Sequence, residues 1–308
     1  MNVTKQLIVN ADDLGISCTA NLAIERAYRD GIVTSASLMP NMPAFRHAVE
    51  RIAGENPGLG IGVHLCLTSG RPFSDPAQVP LLVDGRGEFC HGFFGLWRLL
   101  RSSQRGAALG QIRRELNAQA ERVASSSLVI DHVNGHQHVH LIPGVFAYAA
   151  EIARRFGAAI RIPRAEKLAA RLPLRHRLER LFYGGTAKAV LLDRLSRRAE
   201  REEKIAAAEH CLGVAESGRL TSAVLHQIVR RLPDGVSELL CHPGAGTAAD
   251  EAVVCSREDR QFLACNGRKA ELAAVLDPAI REALEQTGVE LIRFRDWERS
   301  APSVERAA

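Results

Sequence analysis

The sequence predicts an α/β fold: a single-domain, TIM-like (βα) barrel of seven or eight parallel strands. Two observations carry that expectation. Short apolar, β-like runs alternate with helical-period segments of ten or more residues along the whole chain, the pattern of βα units around a mostly parallel sheet. The residues best suited to chemistry fall at or just past the ends of the strand-like runs, where barrels and open doubly wound sheets place their sites. The 308 residues fit one such domain, since single α/β barrels reach ~250 residues before insertions. No interdomain linker interrupts residues 1–299, and 300–308 reads as a frayed, disordered tail.

Taken in order, residues 6–10 form a β-like run, and 21–29 carry apolar residues at helical spacing before Gly31 stops them. The pair recurs as strand 33–39 with helix 44–52. Strand 60–67 and helix 107–123 are separated by 69–94, a Gly-, Pro- and Asp-rich stretch that reads as a surface insertion near the site. Strand 128–134 precedes a helix opened by Pro143 and running to 156. Then come strand 158–162, helix 174–201 and a short strand within 206–212. The last third repeats the order: helix 221–231, strand 236–241, helices 256–276 and 278–286, and strand 289–294.

Composition narrows the class. The 46% apolar and 24% charged residues are those of a globular chain, and no apolar run approaches the ~18 residues of a membrane span. The first residues, MNVTKQLIVNADD, lack the small-residue cleavage site of a secretory signal. Seven scattered cysteines without a CxxC pair fit reduced thiols in a cytoplasm better than a disulfide framework or a cysteine zinc site. A net charge of +5 is concentrated between 154 and 204, where 15 Lys or Arg face 6 Asp or Glu. Leu172, Leu174, Leu178 and Leu181 interleave with those charges at helical spacing, so the segment reads as the solvated face of helices. Nucleic-acid binding is not expected, because the positive charge lacks interleaved aromatics. The expected partner is a small-molecule or oligosaccharide substrate, with homo-oligomerisation left open.

Four islands carry the chemistry: Asn10-Ala11-Asp12-Asp13-Leu14-Gly15, Gly62-Val63-His64-Leu65, the histidine-rich run from His132 to His140, and Glu238 to Gly244 with His242 at its centre. Two adjacent aspartates at a strand end raise one another's pKa unless a cation neutralises them. A bound metal supplies that cation; a helix cap beside a solvated neighbour explains the pair equally well. If 131–140 stayed extended, His132 and His140 would lie ~26 Å apart and could not share one ion. Gly135 is expected to end the strand and leave His136 at its mouth. His64 on the same mouth completes one carboxylate and two imidazoles, a set that leaves coordination positions open for water and substrate. The second carboxylate is then free to take a proton, and His242 is suited to protonating a leaving amine or stabilising an oxyanion.

These islands, LIVNADDLG, IVTSASLM, GIGVHLCLTSGRP, DHVNGHQHVHLIP, RIPR and ELLCHPG, stand in the order found in the YdjC-like carbohydrate deacetylases, which include chitooligosaccharide deacetylase. The chain resembles that family from about Leu7 to Gly244. The resemblance implies a βα-barrel-like fold and hydrolysis of an N-acetyl group from an amino sugar, giving acetate and an amine. It further implies Asp12 as general base, Asp13, His64 and His136 as metal ligands, and His242 as general acid. Arg161 is similar to a family site residue that orients the base or binds the substrate. The divalent metal implied is Mg2+, while two imidazoles suit Zn2+ equally well. Leu14 stands where the family often has Phe, and Gln137 where the deacetylase of chitin fragments has another His; neither is an expected ligand. Two rival readings stay open at this point: a related metal hydrolase acting on another bond, a phosphoester or a lipid-linked, hopanoid-associated amide or ester, and a metal- and sugar-binding protein without turnover.

Overall fold

The structure, a computed structural model, describes residues 5–163, 185–246 and 257–297. Strand β1 (Lys5–Leu14) leads to helix α1 (Cys18–Arg29), and β2 (Ser35–Leu38) to the short α2 (Phe45–His47), which continues as a wider helical turn at Ala48–Ala53. After β3 (Gly60–Leu65) come α3 (Phe93–Leu99) and α4 (Arg105–Ala124). The alternation continues through β4 (Ile130–Gly135), α5 (Phe146–Phe156), β5 (Ala159–Ile160), α6 (Gly185–Glu202), β6 (His210–Leu212), α7 (Ser222–Arg230) and β7 (Gly235–Cys241). The chain then forms α8 (Arg257–Ala264), α9 (Asn266–Leu276), α10 (Pro278–Thr287), β8 (Val289–Leu291) and α11 (Phe294–Trp297).

The eight described strands form one sheet in the order β5-β4-β3-β2-β1-β7-β6, with β8 paired to the first residues of β1. Every pairing is parallel. The two ends of this path curl towards each other: Ile160 N–H donates to the Ala206 carbonyl just ahead of β6, at 2.8 Å. The result is the TIM-like barrel arrangement that the alternation of elements predicts.

Pleating sorts β1 into two faces. Leu7, Val9 and Ala11 join the large core between sheet and helices. Ile8 points the other way, into a small apolar plug with Ala159, Ala208, Val236 and Phe294. Above the plug the interior turns polar: Asn10, His132 and Asn134 are buried and hydrogen-bonded around Ser37, and Arg161 is buried on Glu238 beside them. Gly62 makes that layer fit, because a Cβ there would lie 2.3–2.5 Å from the His132 imidazole.

Several elements depart from the sequence expectation for local reasons. β1 does not stop before the aspartates but runs through them to Leu14. The single helix expected over 256–276 is two, because Cys265 adopts an extended conformation and opens α9. The last strand stops at Leu291, and Phe294 instead begins α11, with its ring stacked on His132 at 4.2 Å. The insertion 69–94 is tied down by Glu115 of α4, whose buried carboxylate accepts the Phe73 and Ser74 N–H groups, each at 2.8 Å. The first part of the helix expected over 174–201, and the tail 300–308, lie outside the described residues. Among the described residues no helix is long and apolar enough to cross a membrane, and the six described cysteines are free thiols.

Candidate active site

In a regular strand Asp12 and Asp13 would face opposite sides of the sheet. Here the β1–β2 register shifts between Ala11 and Leu14, and Asp13 takes a left-handed φ of 70°. This bulge brings both carboxylates to the barrel mouth, where they line one pocket of about 190 Å³ with His64, His136 and His242. A non-glycine residue held at positive φ costs on the order of 1 kcal/mol and persists where surrounding contacts over-determine it.

Those contacts divide the pair. Asp13 Oδ1 lies 3.1 Å from His136 Nδ1 and 3.6 Å from His64 Nε2. Three donor atoms from Asp13, His64 and His136 fall within 4.8 Å of one another. Ligands on one ion with bonds near 2.0–2.1 Å are separated by about 3–3.5 Å, so this set fits a divalent cation. Each imidazole has its other nitrogen engaged, as metal-binding histidines require. His136 Nε2 is 3.0 Å from Asp259 Oδ1 on α8, and His64 Nδ1 is 2.6 Å from Asn134 Oδ1. Turned over, the Asn134 oxygen would face the Arg161 Nη atoms at 3.0–3.3 Å; the first orientation is the one that leaves His64 Nε2 free to bind an ion. The remaining Asp13 oxygen accepts from Arg268 Nη1 on α9 at 2.7 Å, which leaves a single oxygen for a metal.

Asp12 belongs to a different network. Arg161 grips it with two bonds of 2.6 and 2.8 Å, and Asn10 adds a third at 2.8 Å. On its far side Arg161 donates to Glu238 at 2.7 Å. The guanidinium is fully buried behind Asp12 and does not line the pocket, so its reach is to the carboxylate and not to a bound ligand. His140 holds the Arg161 backbone by donating from Nε2 to its carbonyl at 3.0 Å. Across the mouth, His242 Nε2 stands 3.9 Å from Asp12 Oδ2, with the Phe262 ring edge-on at 5.1 Å.

Electrostatics follow from this packing. Burial pushes the Asp12 carboxyl up, but the Arg161 charge and its hydrogen bonds override it and leave Asp12 well below the usual carboxylate range. Burial opposes ionisation of Asp13 as well, and the bond from His136 with the Arg268 charge reverses it. Burial takes His64 down to about 4, so it is a neutral donor at ordinary pH. His136 goes the other way: burial disfavours its charge, yet Asp259 and Asp13 flank it and hold the imidazolium well above the usual histidine range.

The structure therefore brings Asp12, Asp13, His64, His136 and His242 to one mouth, with Arg161 directly behind Asp12. The other histidines do different things. His132 bonds Asp131 at 2.7 Å and Ser37 at 3.0 Å, a Ser-His-Asp array sealed inside the barrel beneath the pocket. After Gly135 the chain turns through a short helical segment, His136–Leu141, with Gln137 and His138 at left-handed φ of 53° and 60°, so the run is not extended. Sequence reading missed Asp259, Arg268 and Glu271. A signal existed for the last two: α9 buries positions 268, 271 and 275 on one face, so two charges stand on its apolar stripe.

Comparisons with known proteins give the family and the fold. The chain is 34% identical to a carbohydrate deacetylase of Geobacillus stearothermophilus over 94% of its own length and 97% of the relative. It is 31% identical to a carbohydrate deacetylase of Clostridium beijerinckii, covering 94% and 99%, and 30% identical to a chitooligosaccharide deacetylase of an Enterobacter species, covering 95% and 99%. A crystal structure from Enterococcus faecalis, described as a cellobiose-phosphate cleavage protein, superposes with a TM-score of 0.72 at 23% identity, over 96% of this chain and 99% of that one, and shows the shared fold. The model of the YdjC-like protein family matches residues 6–286, and on that span the chain belongs to this family.

Proposed function

We propose that this protein is a metal-dependent carbohydrate deacetylase that hydrolyses the N-acetyl group of an amino sugar or oligosaccharide to acetate and a free amine. One observation carries the reading: adjacent aspartates on a single bulge face two different partners, Asp13 the imidazoles of His64 and His136, and Asp12 the imidazole of His242. The names of the full-length relatives support the substrate class. A divalent ion held by Asp13, His64 and His136 supplies Lewis acidity to the acetamide carbonyl and to water. Magnesium is the ion the family resemblance implies, and the two imidazoles suit zinc.

The chain's own residues then act on protons. Arg161 keeps Asp12 ionised, the form that accepts a proton from the attacking water, and Glu238 anchors the far side of the same guanidinium. His242 Nε2 protonates the departing nitrogen. Asp12 stands 3.9 Å away, and it returns that proton to Nε2 once the two groups close to hydrogen-bond reach, which completes the cycle. A pocket of about 190 Å³ is small beside the roughly 300–1,000 Å³ of ordinary ligand sites, so it fits the acetamido group and the ring that bears it, with longer chains extending outside.

The test is acetate release from N-acetylated mono- and oligosaccharides by metal-analysed protein, run beside phosphate release and a lipid-linked amide. Acetate from the sugars supports the proposal. Phosphate or lipid hydrolysis alone, or tight sugar binding without product, would replace it with the corresponding rival.

A further inference from the structure

One turn of α9 supports the site from behind. Glu271 is fully buried; its Oε1 accepts the Gly218 N–H and its Oε2 the His242 N–H, each at 2.5 Å. The same Oε2 lies 3.7 Å from His242 Nδ1, a buried nitrogen with no hydrogen-bond partner among the described residues. Nε2, on the far edge of the ring, is the nitrogen that faces Asp12.

Among the described residues the groups around this imidazole are few. From β1 it meets Asp12, with Asp13 beyond; from α8, the uncharged ring of Phe262; from α9, Glu271 and Arg268. Arg268 is engaged elsewhere, with Nη1 on Asp13 and Nη2 on the Pro243 carbonyl. Glu271 is therefore the carboxylate that Nδ1 faces. A carboxylate only accepts, and a neutral imidazole has one donor and one acceptor nitrogen. Lone pairs on both Nδ1 and Oε2 would repel, so the hydrogen belongs on Nδ1.

We propose that Glu271 is the positioning residue that keeps a hydrogen on His242 Nδ1, so that Nε2 is the nitrogen that delivers a proton to the departing amine. The inference rests on the reading of His242 as general acid. In the step it serves, the carbon–nitrogen bond breaks with its electron pair going to nitrogen, the Nε2 hydrogen passes to that nitrogen, and His242 is left neutral with Nδ1–H. Asp12, carrying the proton taken from water, returns it to Nε2. A separation of 3.7 Å is longer than a hydrogen bond, and such catalytic contacts tighten when substrate binds.

The test reads the tautomer directly, by nitrogen-15 NMR of histidine-labelled full-length protein, with His242 assigned from the signals lost in His242→Gln. The wild-type protein is expected to show Nδ1–H in the neutral ring, and Glu271→Gln a shift towards Nε2–H. With acetate release as readout, Glu271→Gln should lower kcat about 10²-fold or more with KM nearly unchanged, and Glu271→Asp should restore part of it. In a His242→Gln background, Glu271→Gln should cost less than about threefold, because the residue acts through His242. A neutral wild-type ring with its hydrogen on Nε2 overturns the proposal, as do losses that multiply in the double variant. If Glu271→Gln unfolds, the wild-type spectrum and Glu271→Asp decide. If the wild-type protein releases no acetate, the deacetylase reading fails while the spectrum still decides the role of Glu271.

Discussion

Replacing Arg161 with methionine keeps a buried stem and removes the charge that Asp12 and Glu238 share. Three contacts of 2.6, 2.8 and 2.7 Å disappear, and two carboxylates with almost no exposed surface are left without their cation. Removing one partner of a buried ion pair costs about 3–5 kcal/mol. With a urea m-value near ~3 kcal/mol/M for a chain of this size, the unfolding midpoint should fall by about 1–1.7 M at pH 7. The pH dependence has a definite sign. In the wild-type protein Asp12 is held well below the usual range, so its pairing stabilises fully above the unfolded carboxyl value near ~3.9 and is lost as pH falls towards the folded value. In the variant burial is no longer opposed by Arg161, the carboxyl moves up, and protonation relieves the cost. The gap between the two proteins should therefore be widest at neutral pH and narrow towards pH 4. Urea melts at both pH values, with metal content checked, measure it. A difference under ~1 kcal/mol at pH 7, or one that widens on acidification, would refute the account of Arg161.

Asp13→Asn and His64→Ala should lose bound metal together with turnover, whereas Asp12→Asn should keep its metal by elemental analysis and lose about 10²-fold or more in kcat. His136 is expected to carry a proton between Asp13 and Asp259 that an ion must displace, so metal affinity should weaken as pH falls. Calorimetry in buffers of different ionisation enthalpy should register proton release on metal uptake; no release would remove His136 from the ligand set. Gly62→Ala should destabilise the fold by about 1–3 kcal/mol, because its Cβ meets the His132 ring at 2.3–2.5 Å, and an unchanged melting temperature would show that the polar layer yields easily.

Much of this architecture was legible because strand and helix periods differ, and hydrophobic alternation reports them directly. The strand-end positions of Asp12, His64, His136 and His242 followed from the same pattern. What stayed hidden depends on backbone dihedrals or on contacts distant in sequence. Nothing in NADDLG states that Asp13 adopts positive φ, so the strand seemed to end before its aspartates. Asp259 reaches His136 from a helix that follows the last island, where no motif flags it, and Glu271 shows only as a charge on the apolar stripe of α9. Cys265 breaks a helical period that reads as continuous, through an extended backbone (ψ of 143°) that hydrophobic periodicity does not report.

The bulge in β1 has a mechanical consequence. Because Asp12 and Asp13 are consecutive, the backbones of the proposed proton acceptor and the proposed ion ligand are held one peptide unit apart, with Cα atoms about 3.8 Å from each other, and not by the docking of separate elements. Helices α8 and α9 act on this pair only through side chains, Arg268 on the Asp13 carboxylate and Asp259 on His136. A displacement of that outer layer should thus change how the carboxylates and imidazoles are aimed while the backbone separation of the two aspartates stays covalently fixed.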